Sequence, residues 1–141
     1  MAAKSKPFSI RMSGPTEELI AAEAKRTRRS KGAVVEALAE EALRARMFPG
    51  IAFRGEDWGR RPWVIGTALD VWQIVDAYRD FGSVEAMLAK SDLSERQLRL
   101  ALAYHERFPD EIDEAIALNR RPLAQLKAEY PFISVHSPAE S

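Results

Sequence analysis

The first regular pattern in the chain is an alternation of apolar and polar residues near the N-terminus. The apolar positions are Phe8, Ile10 and Met12, and this period of two is typical of a strand with one buried face. The residues that follow favour helices and offer no second strand for a hairpin. Because an isolated strand leaves backbone N–H and C=O groups without partners, the pattern predicts pairing with the same strand of a second copy.

Two helices are predicted next, over about 15–27 and 31–47. The first has acidic residues in its first turn and basic residues in its last turn, as the helix dipole favours. Ser30 is the predicted N-cap of the second helix, which ends before Pro49 and Gly50. One broad apolar face is predicted on this second helix, formed by Val34, Val35, Leu38, Ala42 and Leu43.

Beyond Gly50, short apolar runs separated by turn residues predict a two-stranded hairpin followed by short helices. The strands are expected at 51–54 and 63–65. Helices are predicted at about 69–81, 84–90, 94–108 and 111–119, with a further helical segment at 122–130. Ser94 and Gln97 form a capping-box pattern at the start of the third of these helices. The tail from 131 to 141 is expected to be weakly ordered.

Charge is distributed unevenly along a chain whose 21 basic and 21 acidic residues balance overall. Residues 1–50 hold 10 basic and 6 acidic residues, a net charge of +4, and the remainder has a net charge of −4. A basic segment of this kind suggests contact with a polyanion. The sequence contains no cysteine, which excludes disulfides, thiolate catalysis and cysteine-based metal sites.

Other classes of function find little support in the sequence. No apolar run approaches the roughly 20 residues that span a bilayer, and the N-terminus lacks a secretory signal, so no membrane partner and a cytoplasmic location are expected. The two histidines, His105 and His136, lie far apart, and neither belongs to a metal-binding motif. Without a glycine-rich phosphate loop or a nucleophile elbow, we expect neither an enzyme nor a cofactor.

Strand, helix, short turn and helix within a basic segment resemble the ribbon-helix-helix family of DNA-binding proteins. The resemblance covers residues 6–47 and rests on the pattern Lys-Pro-Phe-Ser-Ile-Arg-Met-Ser and on the turn Arg-Arg-Ser-Lys. It implies an intertwined homodimer formed through residues 8–12 and 31–47. It also implies that the two paired strands lie in the major groove of double-stranded operator DNA.

The same resemblance implies roles for individual polar residues. Ser9 and Arg11 would face outward and contact bases, since arginine can make a bidentate contact to guanine. The expected phosphate contacts lie beside the strand and in the turn, and they are Lys4, Lys6, Arg28, Arg29, Ser30, Lys31 and Gly32. Pro7 donates no N–H and marks the beginning of the ribbon. Taken without the strand, the basic cluster is equally well explained as a solvated turn.

Residues 50–121 resemble the domain-of-unknown-function family 433, which is common in VapB-type antitoxins. The matching motifs are Gly50-Ile51-Ala52-Phe53-Arg54-Gly55, Val64-Ile65-Gly66-Thr67, Asp70-Val71-Trp72, Ser83-Val84-Glu85, Leu93-Ser94-Glu95-Arg96-Gln97-Leu98 and Ala101-Leu102-Ala103-Tyr104. Ala68 stands where that family usually has arginine. The resemblance implies a helix-turn-helix-like bundle, and therefore a mainly α protein with domains at 1–48 and 49–130 and a tail at 131–141.

Together the resemblances imply the antitoxin of a type II toxin-antitoxin pair, which represses its own operon and neutralises a PIN-type ribonuclease toxin. The residues expected to bind the toxin are Arg120, Arg121, Leu123, Tyr130 and Phe132. The two arginines are also explained as a simple helix C-terminal cap. The alternative is a stand-alone ribbon-helix-helix regulator with a ligand-sensing or oligomerisation domain. A second DNA-reading role for helix 94–108 is disfavoured by the acidic charge of this half.

Overall fold

The computed structural model describes residues 6–57 and 59–120 of the chain. Within these ranges six helices and one antiparallel hairpin confirm the predicted mainly α class. None of the described helices combines the length and the apolar character needed to cross a bilayer. In chain order the elements are α1 Gly14–Thr27, α2 Lys31–Met47, β1 Ile51–Arg54, β2 Arg61–Val64, α3 Val71–Phe81, α4 Val84–Lys90, α5 Glu95–Arg107 and α6 Pro109–Asn119.

The chain divides into two compact units, the N-terminal unit (residues 1–47) and the C-terminal unit (residues 48–141). In the N-terminal unit α1 begins where the Ser13 hydroxyl accepts the N–H of Thr16 at 3.4 Å. The predicted N-cap of α2 is confirmed, because the Ser30 hydroxyl accepts the N–H of Ala33 at 3.1 Å. Serine therefore defines the start of both helices.

The two helices of the N-terminal unit bury little of their apolar surface. The buried residues of these two helices are Ala24 and Thr27 of α1 and Val34 of α2. The predicted broad face of α2 is buried only at Val34, whereas Leu38 and Leu43 are exposed. Within the described residues of the unit, packing against α1 therefore leaves most of this face of α2 exposed to solvent.

Residues 6–13 lie in neither a helix nor a strand. The side chain of Phe8 is 81% exposed, and that of Ile10 is exposed as well. A strand requires a hydrogen-bonded neighbour, and the described residues of a single chain provide none for this segment. The predicted pairing of residues 8–12 with a second copy therefore stays a prediction.

The hairpin of the C-terminal unit pairs Ile51 with Val64 and Arg54 with Arg61. The second strand thus lies two residues earlier at its start and one residue earlier at its end than the predicted 63–65. Ile65 instead lies in a turn, where its N–H donates to the carbonyl of Gly50 at 2.9 Å. The second strand ends at Val64 because this residue pairs with Ile51, the first residue of β1, and both side chains are buried.

Capping residues decide where the helices of the C-terminal unit begin. The prediction of a start at 69 is wrong by two residues, because Asp70 is the N-cap of α3 and its N–H donates to the Gln73 side chain. The start of α6 comes two residues earlier than predicted, at Pro109, since proline suits the first turn of a helix. The capping box of Ser94 and Gln97 at the start of α5 is confirmed.

A continuous core holds the C-terminal unit together. Its most completely buried side chains are Tyr104, Ile74, Leu98, Ile112, Val64, Val71 and Val75. The Tyr104 ring contacts the rings of Phe48 and Phe108, with centroids 5.3 Å and 4.9 Å away. Aromatic pairs at these separations add to the stabilisation that burial alone provides. Helices and hairpin thus pack around one shared apolar interior.

Candidate nucleic-acid interface

The segment predicted to read DNA bases is accessible along its described length. The side chains of Lys6, Ser9 and Arg11 are exposed. The alternating apolar side chains Phe8 and Ile10 are exposed as well, so one chain alone does not bury either side of the segment. Lys4 lies outside the described residues. The segment therefore presents both its polar and its apolar residues to solvent.

The turn between α1 and α2 has an unusual backbone conformation at Arg28. This residue adopts φ 55° and ψ 42°, in the left-handed region. Its N–H donates to the carbonyls of Ala24 and Lys25, and the N–H of Arg29 donates to the carbonyl of Ala24 at 3.0 Å. The left-handed residue thereby satisfies carbonyls at the end of α1 that would otherwise lack partners.

Three of the cations around this turn contact groups of the same unit. Arg26 forms an ion pair with Glu23. Arg29 donates from Nε to the hydroxyl of Thr27 at 3.1 Å. Lys31 Nζ lies 3.7 Å from a carboxylate oxygen of Glu17, and both side chains of this pair are largely exposed.

The start of α2 contains a serine whose hydroxyl caps the helix and a glycine with free space around it. Ser30 Oγ is the acceptor that caps the helix, so its lone pairs are partly used within the chain. A Cβ placed on Gly32 would meet only Ser30 Oγ, at 4.0 Å. Packing inside the chain therefore does not require glycine at this position. The first N–H groups of any helix lack intrahelical partners, which makes such an end suitable for an anion.

An exposed apolar surface accompanies these polar groups in the N-terminal unit. Its large members are Phe8, Ile10, Leu19, Leu38, Leu43 and Met47. Scattered exposed apolar residues are normal on a protein surface. Six in a unit of 47 residues, on both the segment 6–13 and the helices, are more typical of a surface that another chain covers.

Arg120, predicted to bind the toxin, is bound within the C-terminal unit. Its guanidinium lies 2.6 Å from a carboxylate oxygen of Asp76 and 3.4 Å from Asp80, both on α3. These contacts, first the hydrogen bond with Asp76, raise the pKa of Arg120 above its ordinary value. The remaining predicted toxin-binding residues, Arg121, Leu123, Tyr130 and Phe132, lie outside the described residues.

The sequence pattern did not predict the buried carboxylate of Asp70 at the start of α3. The Asp70 side chain is 6% exposed and accepts from Arg54 Nε at 2.9 Å and from Arg61 Nε at 2.7 Å. Arg54 also donates to the carbonyl of Ala68 at 2.8 Å. Strand pairing places the two arginines opposite each other, so the hairpin register was the signal that could have identified this cluster.

A second group of charges links three helices of the C-terminal unit. Asp113 Oδ1 lies 2.8 Å from His105 Nε2 and 2.5 Å from an Arg79 nitrogen. Hydrogen bonds from His105 and then from Arg79 lower the pKa of Asp113 below its ordinary value. No group of three or more metal-binding side chains occurs in residues 6–57 and 59–120.

Comparisons with protein-family models, with curated proteins and with solved structures found no match to this chain.

Proposed function

We propose that this protein is a cytoplasmic, dimeric, operator-binding antitoxin that neutralises a ribonuclease toxin. The observation that carries the DNA-binding part is the exposed apolar surface of the N-terminal unit next to exposed cations. Phe8, in the segment 6–13, and Leu38, on α2, are large apolar side chains left in solvent, and Arg11 in the segment 6–13 is exposed and polar. This combination suits a ribbon-helix-helix dimer on DNA.

Dimerisation supplies the two things that a single chain lacks. Pairing of residues 8–12 with a second copy gives the backbone N–H and C=O groups of this segment their hydrogen bonds. The same association covers Ile10 and the Leu38 side of α2 with apolar partners. Association through the same surface on both copies is the usual form of a twofold dimer.

Paired strands direct Ser9 and Arg11 to the face opposite Phe8 and Ile10, because side chains alternate along a strand. A ribbon of this kind fits the major groove, where arginine distinguishes guanine from the other bases. Around the strands, Lys6 and the turn residues 28–32 supply sequence-independent contacts to phosphates. In this proposal Ser9 and Arg11 recognise the base sequence, whereas Lys6 and residues 28–32 position the protein on the DNA backbone.

The toxin-binding part of the proposal rests on the resemblance of residues 50–121 to antitoxin domains. Because Arg120 is engaged with Asp76 and Asp80, the contact with a carboxylate-rich nuclease site is assigned to Arg121, with Leu123, Tyr130 and Phe132 as anchors. The internal pairing of Arg120 also favours, as a second candidate, a stand-alone regulator that binds no toxin.

Operator binding is tested by titrating the protein against DNA from the region upstream of its own gene. Arg11→Ala should weaken binding by about 1–3 kcal/mol and relax the sequence preference, because a base contact is lost. Lys6→Ala is the matched control and should weaken binding to all sequences alike. Unchanged affinity and preference in Arg11→Ala would exclude this residue from base reading.

The choice between antitoxin and stand-alone regulator is tested by copurification. The tagged protein is expressed together with the untagged product of the adjacent gene. The ribonuclease activity of that gene product is then measured in the presence and in the absence of the tagged protein. A stable complex with silenced nuclease activity supports the antitoxin. Specific promoter binding without any such complex supports the stand-alone regulator.

A further inference from the structure

Arg28 occupies a backbone conformation that ordinarily belongs to glycine. Every other positive φ angle within residues 6–57 and 59–120 is found at a glycine. The comparison with α3 is direct, because that helix ends in the same left-handed region with Gly82 as its cap. A residue with a Cβ is destabilised in this region relative to glycine. The chain therefore retains an arginine at a position where its backbone is unfavourable.

The side chain of Arg28 makes no contact with the described residues that would offset its unfavourable backbone conformation. It is exposed and makes no hydrogen bond or ion pair with any of the described residues. The neighbouring cations differ, since Arg26 contacts Glu23 and Arg29 contacts Thr27. Lys31 has Glu17 within ion-pair distance. Among these four cations, Arg28 is the one whose side chain has no such contact within the part of the chain that the structure describes.

Compensation of the helix dipole does not explain Arg28 either. Cations near the C-terminus of a helix are favourable, but the last turn of α1 already contains Lys25 and Arg26. Those two residues have ordinary helical backbone conformations and provide that interaction without strain. The left-handed conformation itself serves the fold as the cap of α1, but glycine would adopt it at a lower cost. Residues with strained backbones cluster at functional sites.

We propose that Arg28 is the principal phosphate ligand of the turn, and that the strained arginine is retained for this contact with DNA. The inference rests on the proposed DNA-binding function and refines it, since it singles out Arg28 from Arg26, Arg29 and Lys31, which have contacts within the unit. Arg28 lies two residues before Ser30, the N-cap of α2. A guanidinium there matches the bidentate geometry of a phosphate.

The test uses the full-length chain with two variants, Arg28→Gly and Arg28→Asn. Both residues accept the left-handed region, so both should stabilise the turn while removing the cation. We expect the amides of α1 and α2 to exchange with solvent about fivefold more slowly in Arg28→Gly. Binding is measured to a mixed-sequence DNA duplex of about 30 base pairs over a series of salt concentrations, because phosphate contacts need no operator sequence.

Loss of one phosphate contact per protomer should lower the slope of log K against log salt by about 1.8 for the dimer. Lys25→Ala is the matched control: Lys25 lies in the last turn of α1, close to Arg28 in sequence, is exposed, and has no strained backbone. It should leave the slope nearly unchanged. Slower amide exchange together with a lower slope in both Arg28 variants supports the proposal.

Two results overturn it, and they differ from a failure of the proposed function. If the wild-type protein binds the duplex and both Arg28 variants keep its salt slope, Arg28 is not a phosphate ligand. If the slope falls but exchange becomes faster, the arginine is not held at a cost in stability. If the wild-type protein binds no DNA at all, the proposed function itself fails, and this inference fails with it.

Discussion

The two units of this protein differ in how far they bury their apolar side chains. The C-terminal unit encloses Tyr104, Ile74 and Leu98 completely, and its hairpin and helices share one interior. Among the described residues of the N-terminal unit, only Val34 is enclosed to the same extent, and Phe8 and Leu38 are left in solvent. Burial of apolar surface is the main driving force for folding. The C-terminal unit therefore buries its large apolar side chains within a single chain, whereas the N-terminal unit leaves several of its own exposed, as the proposed dimer requires.

Some arginines of the two units also differ in their contacts. Arg54 and Arg61 bind Asp70, and Arg120 binds Asp76 and Asp80, so these cations of the C-terminal unit serve internal contacts. In the N-terminal unit, by contrast, Arg11 and Arg28 have no such contact among the described residues. Charges left without internal partners are available for a polyanion, which is consistent with the proposed division of labour.

The largest effect is expected from a cavity in the core of the C-terminal unit. Leu98→Ala should lower its free energy of unfolding by about 2–5 kcal/mol, because the side chain is fully buried. Urea unfolding followed by tryptophan fluorescence measures this loss, since Trp63 and Trp72 both lie in this unit. Leu118→Ala, at a position that is 62% exposed, should change stability by about 0.5 kcal/mol or less. Equal losses in both variants would contradict the assignment of the core.

A charge on the exposed face of α2 gives the next largest effect if this face is a dimer interface. Leu38→Glu should weaken self-association by about 3 kcal/mol or more, over a hundredfold in dissociation constant, since a carboxylate would be buried without a partner. Sedimentation equilibrium measures the change. Leu118→Glu is the matched control, because Leu118 is even more exposed than Leu38 in the single chain. A dimer that tolerates both substitutions equally would remove Leu38 from the interface.

Local patterns predicted most of the helices, because caps and periodicity act over a few residues. Ser30, Ser94 and Gln97 were identified in their capping roles, and the structure confirms all three. What the sequence did not reveal depends on contacts between elements. The pairing of Arg54 with Asp70 joins residues 16 positions apart, and no local spacing indicates it. The engagement of Arg120 with α3 is likewise set by tertiary packing, so its availability to a toxin could not be judged from the sequence.

A smaller loss is expected when the buried carboxylate of the C-terminal unit loses its charge. Asp70→Asn keeps the shape of the side chain but leaves Arg54 and Arg61 without an anionic partner. We expect a loss of about 1–2 kcal/mol, less than for a fully buried pair, because both arginines are more than a third exposed. The same urea titration measures it. Asp92→Asn, at an exposed position, is the control, and an equal loss there would show that the Asp70 cluster contributes nothing particular.

The smallest effect concerns Asp113, whose ion pairs are exposed to solvent. Hydrogen bonds from His105 and Arg79 lower its pKa in the folded state, so the charged form favours folding. This contribution is fully present above the unfolded-state pKa of about 4 and disappears as the pH falls through the folded-state value. The wild-type protein should therefore exceed Asp113→Asn in stability at neutral pH, and the difference should vanish in acid. Thermal unfolding of both proteins between neutral and acidic pH measures it, and a difference that persisted in acid would assign the effect to packing instead of charge.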